Sequence, residues 1–422
     1  MSTSTPIMGV GRTALISTIL VAVGPLSMAL YTPAMPMLVE AFDTTQAVVK
    51  MTLTAYFAGF AFSQLAAGPL ADALGRRRST IMFIGVYILG SIAAALAPTI
   101  EILVAARLVQ GIGAAIGVTV SRAIVRDMYP GERGARILNL VAIAMASAPA
   151  FAPALGGVTI QIAGWHAVFV LMVIFGFVVG GTTVFGLKET ITPDITRLRP
   201  LNIARAYRNL LVNAEFMTAS VVIAAGVGAF YAQATILPFV MIDSVGLTPT
   251  QYGFSMLFQS GTFMCGSLTM RLLLRWWKPS QLVAPGLTLI VAGAVALATA
   301  PHVIGASLLT IMVPVAITAF GVALMMPFML MAGMRPFPHI AGQAAALTGF
   351  MQMGAGLAAG TIGALFADPV MAISTVIPAM GVISAATFFL YRRAADTAER
   401  READTQATLQ ADLAPVSPAP AE

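Results

Sequence analysis

The sequence predicts an all-α membrane protein with twelve transmembrane helices in two six-helix halves. Three observations predict it. Of 422 residues, 58% are hydrophobic and only 9% are charged, whereas a soluble domain carries about 25% charged residues. Apolar stretches of about 20 residues, the length that crosses a bilayer as a helix, recur along the chain. All but two of the 23 Lys and Arg residues fall at one side of the alternating series. Short loops rich in Lys and Arg resist translocation, so that side is expected to be cytoplasmic. The exceptions are Lys50, in an otherwise acidic outer loop, and Arg107, inside a span.

The elements follow in order. Residues 1–12 form a short cytoplasmic N-terminus, and the apolar run after it is too long for a signal-peptide core, so it is expected to remain as the first span. The first six spans run roughly over 13–37, 47–70, 79–98, 101–123, 137–160 and 166–187. A basic segment, roughly 188–213, reads as a cytoplasmic linker carrying Lys188, Arg197, Arg199, Arg205 and Arg208. The last six spans run roughly over 214–241, 252–275, 281–300, 305–331, 342–366 and 369–391. The two halves are thus roughly 13–187 and 214–391. The Ala-, Pro- and charge-rich tail at 392–422 is expected to be disordered, because it holds too little apolar surface to fold alone. Both termini come out cytoplasmic.

Composition also excludes function classes. A net charge of +6 and a pI near 9.8 would suggest nucleic acid in a soluble protein, but here the basic residues sit in short loops between spans. One cysteine, Cys265, permits no internal disulfide, and His166, His302 and His339 are scattered at predicted span ends, so no metal spacing exists. No phosphate-binding Gly-x4-Gly-Lys-Ser/Thr loop occurs, so nucleotide is not used. No intramembrane His/Asp/Glu cluster supports a membrane-embedded enzyme. No cofactor is expected.

Three segments resemble the major facilitator superfamily, specifically its twelve-helix drug:proton antiporters. Gly68 to Arg78, reading GPLADALGRRR, is similar to the superfamily's loop signature between helices two and three. Arg107-Leu-Val-Gln110-Gly111-Ile-Gly113 resembles the arginine motif of helix four. Pro149 to Gly157, reading PAFAPALGG, resembles the helix-five antiporter motif, with Ala152 where glycine is usual. Further segments resemble the bicyclomycin/chloramphenicol-resistance (Bcr/CflA-type) subfamily: Tyr31-Thr-Pro33-Ala-Met-Pro36, Ser121-Arg122-Ala-Ile-Val-Arg126-Asp127, Gly164-Trp165-His166-Ala-Val-Phe169 and Leu187-Lys188-Glu189-Thr190. The resemblance implies a multi-pass protein of the bacterial inner membrane, a monomer. It would export small lipophilic or amphipathic molecules, including drugs, by proton antiport and alternating access. The subfamily usually carries a carboxylate two residues before the helix-one tyrosine. Ala29 stands there, which leaves open a metabolite exporter or facilitator without proton coupling.

Candidate residues carry physical reasons. Gly68 and Gly75 permit close approach and tight turns. Asp72 suits the positive end of a neighbouring helix, and Arg76, Arg77 and Arg78 suit the anionic inner leaflet. Together these form the expected gating loop. Arg107 either snorkels to the outer interface or faces a central cavity, polarises Gln110 and binds substrate, the commoner fate of an intramembrane arginine. Tyr31, Tyr56, Gln110, Tyr231, Gln233, Gln259 and Gln352 are the further substrate-binding candidates, although each alone is more often a helix-bridging residue. Pro149 and Pro153 should bend helix five, as a hinge or a static kink. Gly156 and Gly157 should serve helix packing.

Overall fold

A computed structural model describes residues 7–129, 132–195, 200–337 and 340–412. Arg197, Arg199, His339, the first six residues and the last ten lie outside them. Among the described residues there is no strand. Thirteen α-helices follow one another: α1 (Val10–Tyr31), α2 (Met35–Ala41), α3 (Gln46–Leu74), α4 (Arg76–Ala95), α5 (Ile100–Met128), α6 (Glu132–Gly181), α7 (Pro200–Val212), α8 (Ala214–Phe239), α9 (Pro249–Leu273), α10 (Val283–Val303), α11 (Leu308–Met334), α12 (Ala341–Ala364) and α13 (Pro369–Asp412).

Among the described residues, eight segments are long and apolar enough to cross a membrane. α3, α9 and α12, of 29, 25 and 24 residues, are as long but richer in Gly, Ala, Ser, Thr and Gln. That composition suits helices pressed against other helices rather than lipid. The outer surface carries exposed apolar side chains such as Leu89, Phe177 and Met264.

Several elements differ from the expected spans. The first apolar run breaks: α1 ends at Tyr31, a 3₁₀ turn covers Thr32–Ala34, and α2 resumes. Pro33 and Pro36 remove backbone donors there, so the regular ladder cannot continue. Spans five and six both lie within α6, Glu132–Gly181, which is two helices meeting at a kink, so the connection between them is very short. The chain turns at Gly164, the one interior residue with non-helical dihedrals (φ 75°, ψ 178°). Glycine tolerates positive φ without steric penalty. The backbone stays helical at Pro149 and Pro153. α6 runs on into a π-helical turn, Thr182–Gly186.

The segment between the apolar groups contains a helix of its own, α7. Its apolar side packs Tyr207 and Leu210 against α3, α8 and α12, and the Tyr207 hydroxyl donates to the Leu65 carbonyl at 2.8 Å. Burial there pushes the Tyr207 phenol up to about 12, so it stays a neutral donor. α13 continues to Asp412, beyond the expected span end. Residues 392–412 are rich in Ala, Glu, Arg and Gln, all strong helix formers.

Helix packing is set by glycines. A Cβ on Gly90 of α4 would lie 2.6 Å from the Gln110 backbone nitrogen. Gly111 of α5 abuts the Tyr56 carbonyl, and Gly113 abuts the Tyr87 backbone. α5 therefore crosses α3 and α4 backbone to backbone, and that contact positions the site below.

Candidate functional site

The bundle has two ends. The basic end carries Arg76, Arg77, Arg78 and Arg126, and the opposite end carries Thr32, Glu101 and Asp243. Between them lies Arg107, fully buried on α5. Its guanidinium is sandwiched between the rings of Tyr31 and Tyr56, at 4.5 and 4.4 Å from their centroids. Nη1 donates to Oε1 of Gln110. The i, i+3 spacing places the two side chains on one helix face.

The surroundings hold this group rigidly. Gln110 Nε2 donates to Ser91 Oγ of α4 at 2.7 Å and lies 3.2 Å from Met172 Sδ of α6. The hydroxyls of Tyr31 and Thr52 meet at 2.6 Å, and the Tyr56 hydroxyl donates to the Gly24 carbonyl at 3.0 Å. Ser27 and Tyr87 are joined at 2.7 Å. Arg107 thus has aromatic and amide partners but no carboxylate, and its Nε and Nη2 have no hydrogen-bond partner. Snorkelling is ruled out by the geometry, since the side chain points into the core.

The other candidates separate into groups. Tyr31, Tyr56 and Gln110 are buried with Arg107 rather than on an open surface. Tyr231 is half-buried on α8, its ring 5.6 Å from that of Phe57 on α3. Gln259 Nε2 donates to Gln233 Oε1 at 2.7 Å, and the buried Gln233 Nε2 has no partner. Gln352 is half-buried on α12.

Sequence reasoning gave no role to Arg122, which it named only within a segment resembling the Bcr/CflA-type subfamily. Arg122 is exposed although it sits within α5. Its Nη2 lies 3.8 Å from Met145 Sδ on α6, and its charge interacts with Tyr231 on α8. A side chain that reaches both helices points into the space between them. The spacing carried no signal: fifteen residues beyond Arg107 is about 60° further round the helix.

The loop at the basic end forms an ion cluster. Gly75 turns the chain with φ +95°. Gly68 has only ordinary contact nearby, the Thr119 methyl at 3.6 Å, so close approach does not require glycine there. Arg76 is almost fully buried and binds Asp72 at 2.5 Å and Asp127 at 3.0 Å. Asp72 thus pairs with an arginine side chain rather than serving as a helix cap. Glu189 accepts the backbone N–H groups of Arg76 and Arg77 at 2.7 and 3.2 Å, so a carboxylate from beyond α6 caps the start of α4. Arg77 Nη2 donates to the Val184 carbonyl at 2.8 Å, and Arg78 is exposed.

At the opposite end, Lys50 is not in a loop. It is fully buried in α3, its Nζ 3.5 Å from the Gly363 carbonyl and 5.1 Å from the Phe239 ring centroid. Gln46 donates to Asp243 at 3.0 Å, Thr250 to Gln161 at 2.8 Å, and Tyr252 to Thr32 at 3.4 Å. Gly157 abuts the Pro249 carbonyl, Gly253 abuts that of Pro153, and Gly156 abuts that of Leu30. These contacts tie α1 to α6, and join α3, α6 and the 3₁₀ turn after α1 to α9, α12 and the end of α8. At the basic end, α5 and α11 share no packed interface among the described residues.

A helical bundle with apolar outer faces, interior arginines and one packed end is a multi-pass membrane transporter, not an enzyme. Residues 17–361 match the sequence profile of the Major Facilitator Superfamily, and the chain belongs to that family. It is 30% identical over 346 residues to an MFS-type transporter of Bacillus subtilis, YdgK, covering 79% of this chain and 84% of that one. It is 29% identical over 345 residues to a chloramphenicol resistance protein of Pseudomonas aeruginosa, covering 81% and 80%. Multidrug resistance protein D of Escherichia coli is 26% identical over 354 residues, covering 81% and 86%. Among solved structures, a peptide transporter with bound alafosfalin superposes with a TM-score of 0.74 at 16% identity, over 92% and 97% of the chains. A D-xylose-proton symporter superposes with a TM-score of 0.70 at 13% identity, over 90% and 97%. These last two likenesses concern the fold.

Proposed function

We propose that the chain is a monomeric exporter of small lipophilic or amphipathic molecules, of the Bcr/CflA-type subfamily, working by alternating access. One observation carries the reading. The opposite end is packed shut across α1, α3, α6, α8, α9 and α12, while Arg122, between α5, α6 and α8, stays reachable by water. A path open to one side and closed to the other is what alternating access requires. With the basic end cytoplasmic, the conformation faces inward. Relatives named for chloramphenicol and multidrug resistance support the substrate class.

Twelve crossings accompany this reading. α1 with α2 makes one and α6, turned at Gly164, makes two. α3, α4, α5, α8, α9, α10, α11, α12 and α13 add one each. The halves are then roughly 13–187 and 214–391, joined by α7, with both termini cytoplasmic. A periplasm-active reporter fused after Arg393 should be silent, and an active one overturns the topology.

Proton antiport is the driving reaction in this reading. A specific observation favours a second one, a facilitator without proton coupling: Ala29 is buried in α1, and no acidic residue lies in the middle of any crossing. Purified protein in liposomes decides between them. Accumulation of a drug against its gradient under an imposed pH difference supports antiport. Counterflow exchange with no response to pH supports the facilitator, and neither activity across a drug and metabolite panel defeats both.

A further inference from the structure

Every acidic residue of the crossing helices stands near a helix end. Asp72 and Asp127 bind Arg76, Glu215 binds Arg335, Glu101 and Glu132 open α5 and α6, and Glu40 and Asp243 lie at the opposite end. In α13 the acids begin at Asp396, past the apolar stretch. The interior cations are Arg107 and Arg122. Arg107 is enclosed, and nothing dissolved can touch it without displacing Tyr31 or Tyr56. Arg122 is the accessible one. Among the described residues it has no carboxylate partner; its neighbours are a thioether and a phenol.

A guanidinium inside a membrane bundle is stable only when paired or hydrated. Arg122 is exposed in this conformation although the surrounding helices partly desolvate it, and among the described residues no carboxylate neutralises it. A lipophilic cation entering the same space would meet the like charge of Arg122 and no acid to compensate its lost water, a large penalty. A carboxylate would receive the planar two-donor fork of Arg122. Its apolar body would lie against Met145 and Tyr231, surfaces suited to varied shapes. An arginine that merely held the helix at a lipid headgroup would point outward, and this one points between α6 and α8.

We infer that Arg122, with Tyr231, forms the anion-recognising subsite of the translocation path, and that the preferred substrates are amphipathic carboxylates rather than lipophilic cations. The inference rests on the exporter reading and specifies its substrate class.

The experiment uses the full chain in nanodiscs and three probes with similar apolar bodies: 5-phenylpentanoate, its primary amide, and trimethyl(4-phenylbutyl)ammonium. Binding is measured by calorimetry. The carboxylate should bind roughly 10- to 100-fold more tightly than the amide, the range of one charge-assisted hydrogen bond, and the ammonium least. Arg122→Gln should erase that preference, and Arg122→Lys should keep part of it. Both variants must elute as monodisperse protein, and the amide's unchanged affinity controls for folding. Preference for the ammonium, a carboxylate preference that survives in Arg122→Gln, or no binding of any probe overturns the inference. Repeating the titration with phosphatidylglycerol in the disc separates the sources of anion. Competition by that lipid, lost in Arg122→Gln, would assign the site to a membrane phosphate instead. Arg122-dependent binding without counterflow in liposomes would refute the exporter reading alone. Counterflow of all three probes, indifferent to Arg122, would refute the subsite alone.

Discussion

Replacing Arg107 by methionine should leave the fold nearly as stable and stop transport. The favourable contacts of the guanidinium are two ring faces, about 2 kcal/mol each when desolvated, and one charged hydrogen bond to Gln110, about 1.5–3 kcal/mol. Against them stand two buried N–H donors without partners, about 1–3 kcal/mol each. Taking the charge out of water costs several kcal/mol more. The sums nearly cancel. Methionine fills most of the volume and removes the desolvation cost, but leaves Gln110 Oε1 without its donor, about 1–3 kcal/mol. The variant should therefore lie within about 2 kcal/mol of the parent, a change of roughly 4 °C in unfolding temperature at most. The assay is the loss of the monodisperse peak on heating in detergent, beside transport in liposomes. A midpoint drop beyond about 10 °C would mean the arginine is structural. Unimpaired transport would refute its part in the substrate path or the conformational change.

The packed crossing of α4 and α5 predicts that Gly90→Ala destabilises by about 1–3 kcal/mol, because its Cβ overlaps the Gln110 backbone. Gly85→Ala on the same helix meets nothing within 4 Å and should be neutral or slightly stabilising by heating assay. Arg76→Gln removes both ion pairs at once and should cost about 2 kcal/mol, less than a fully buried pair because Asp72 is partly exposed. Membrane insertion should survive by surface labelling while transport falls several-fold, and Arg76→Lys should recover part of it. Asp243→Asn weakens the acceptor of Gln46 and deprives buried Lys50 of the charge it faces. Spin-label distances across the opposite end should then show a larger open fraction, and an unchanged distribution would remove the pair from the closure.

Much of the architecture was legible in the chain because a bilayer imposes length, apolarity and charge asymmetry on each crossing. Arg107 with Gln110, and the glycines beside them, could be picked out because an arginine in an apolar run demands a reason. The turn between spans five and six was legible: the expected break between residues 160 and 166 contains Gly164, the residue with non-helical dihedrals at which two helices meet. Pro149 and Pro153 read as a hinge or a static kink in helix five, and the backbone at both stays helical. Lys50 read as a loop charge, and packing against Gly363 and Phe239 makes it a buried one.

Sequence by itself determined what must be satisfied locally: which stretches lie in lipid, which charges stay at the basic end, and that no acid answers the interior arginines. Tertiary structure alone decided which arginine water can reach. Arg107 and Arg122 lie on one helix, about 60° apart around its axis. Glycine contacts draw α3 and α4 onto α5, and Tyr31, Tyr56 and Gln110 close around Arg107. Lower on α5 the side chain of Arg122 is exposed, with Met145 Sδ at 3.8 Å and Tyr231 within reach of its charge. Accessibility depends on the distance between helices far apart in sequence, and no local pattern encodes it.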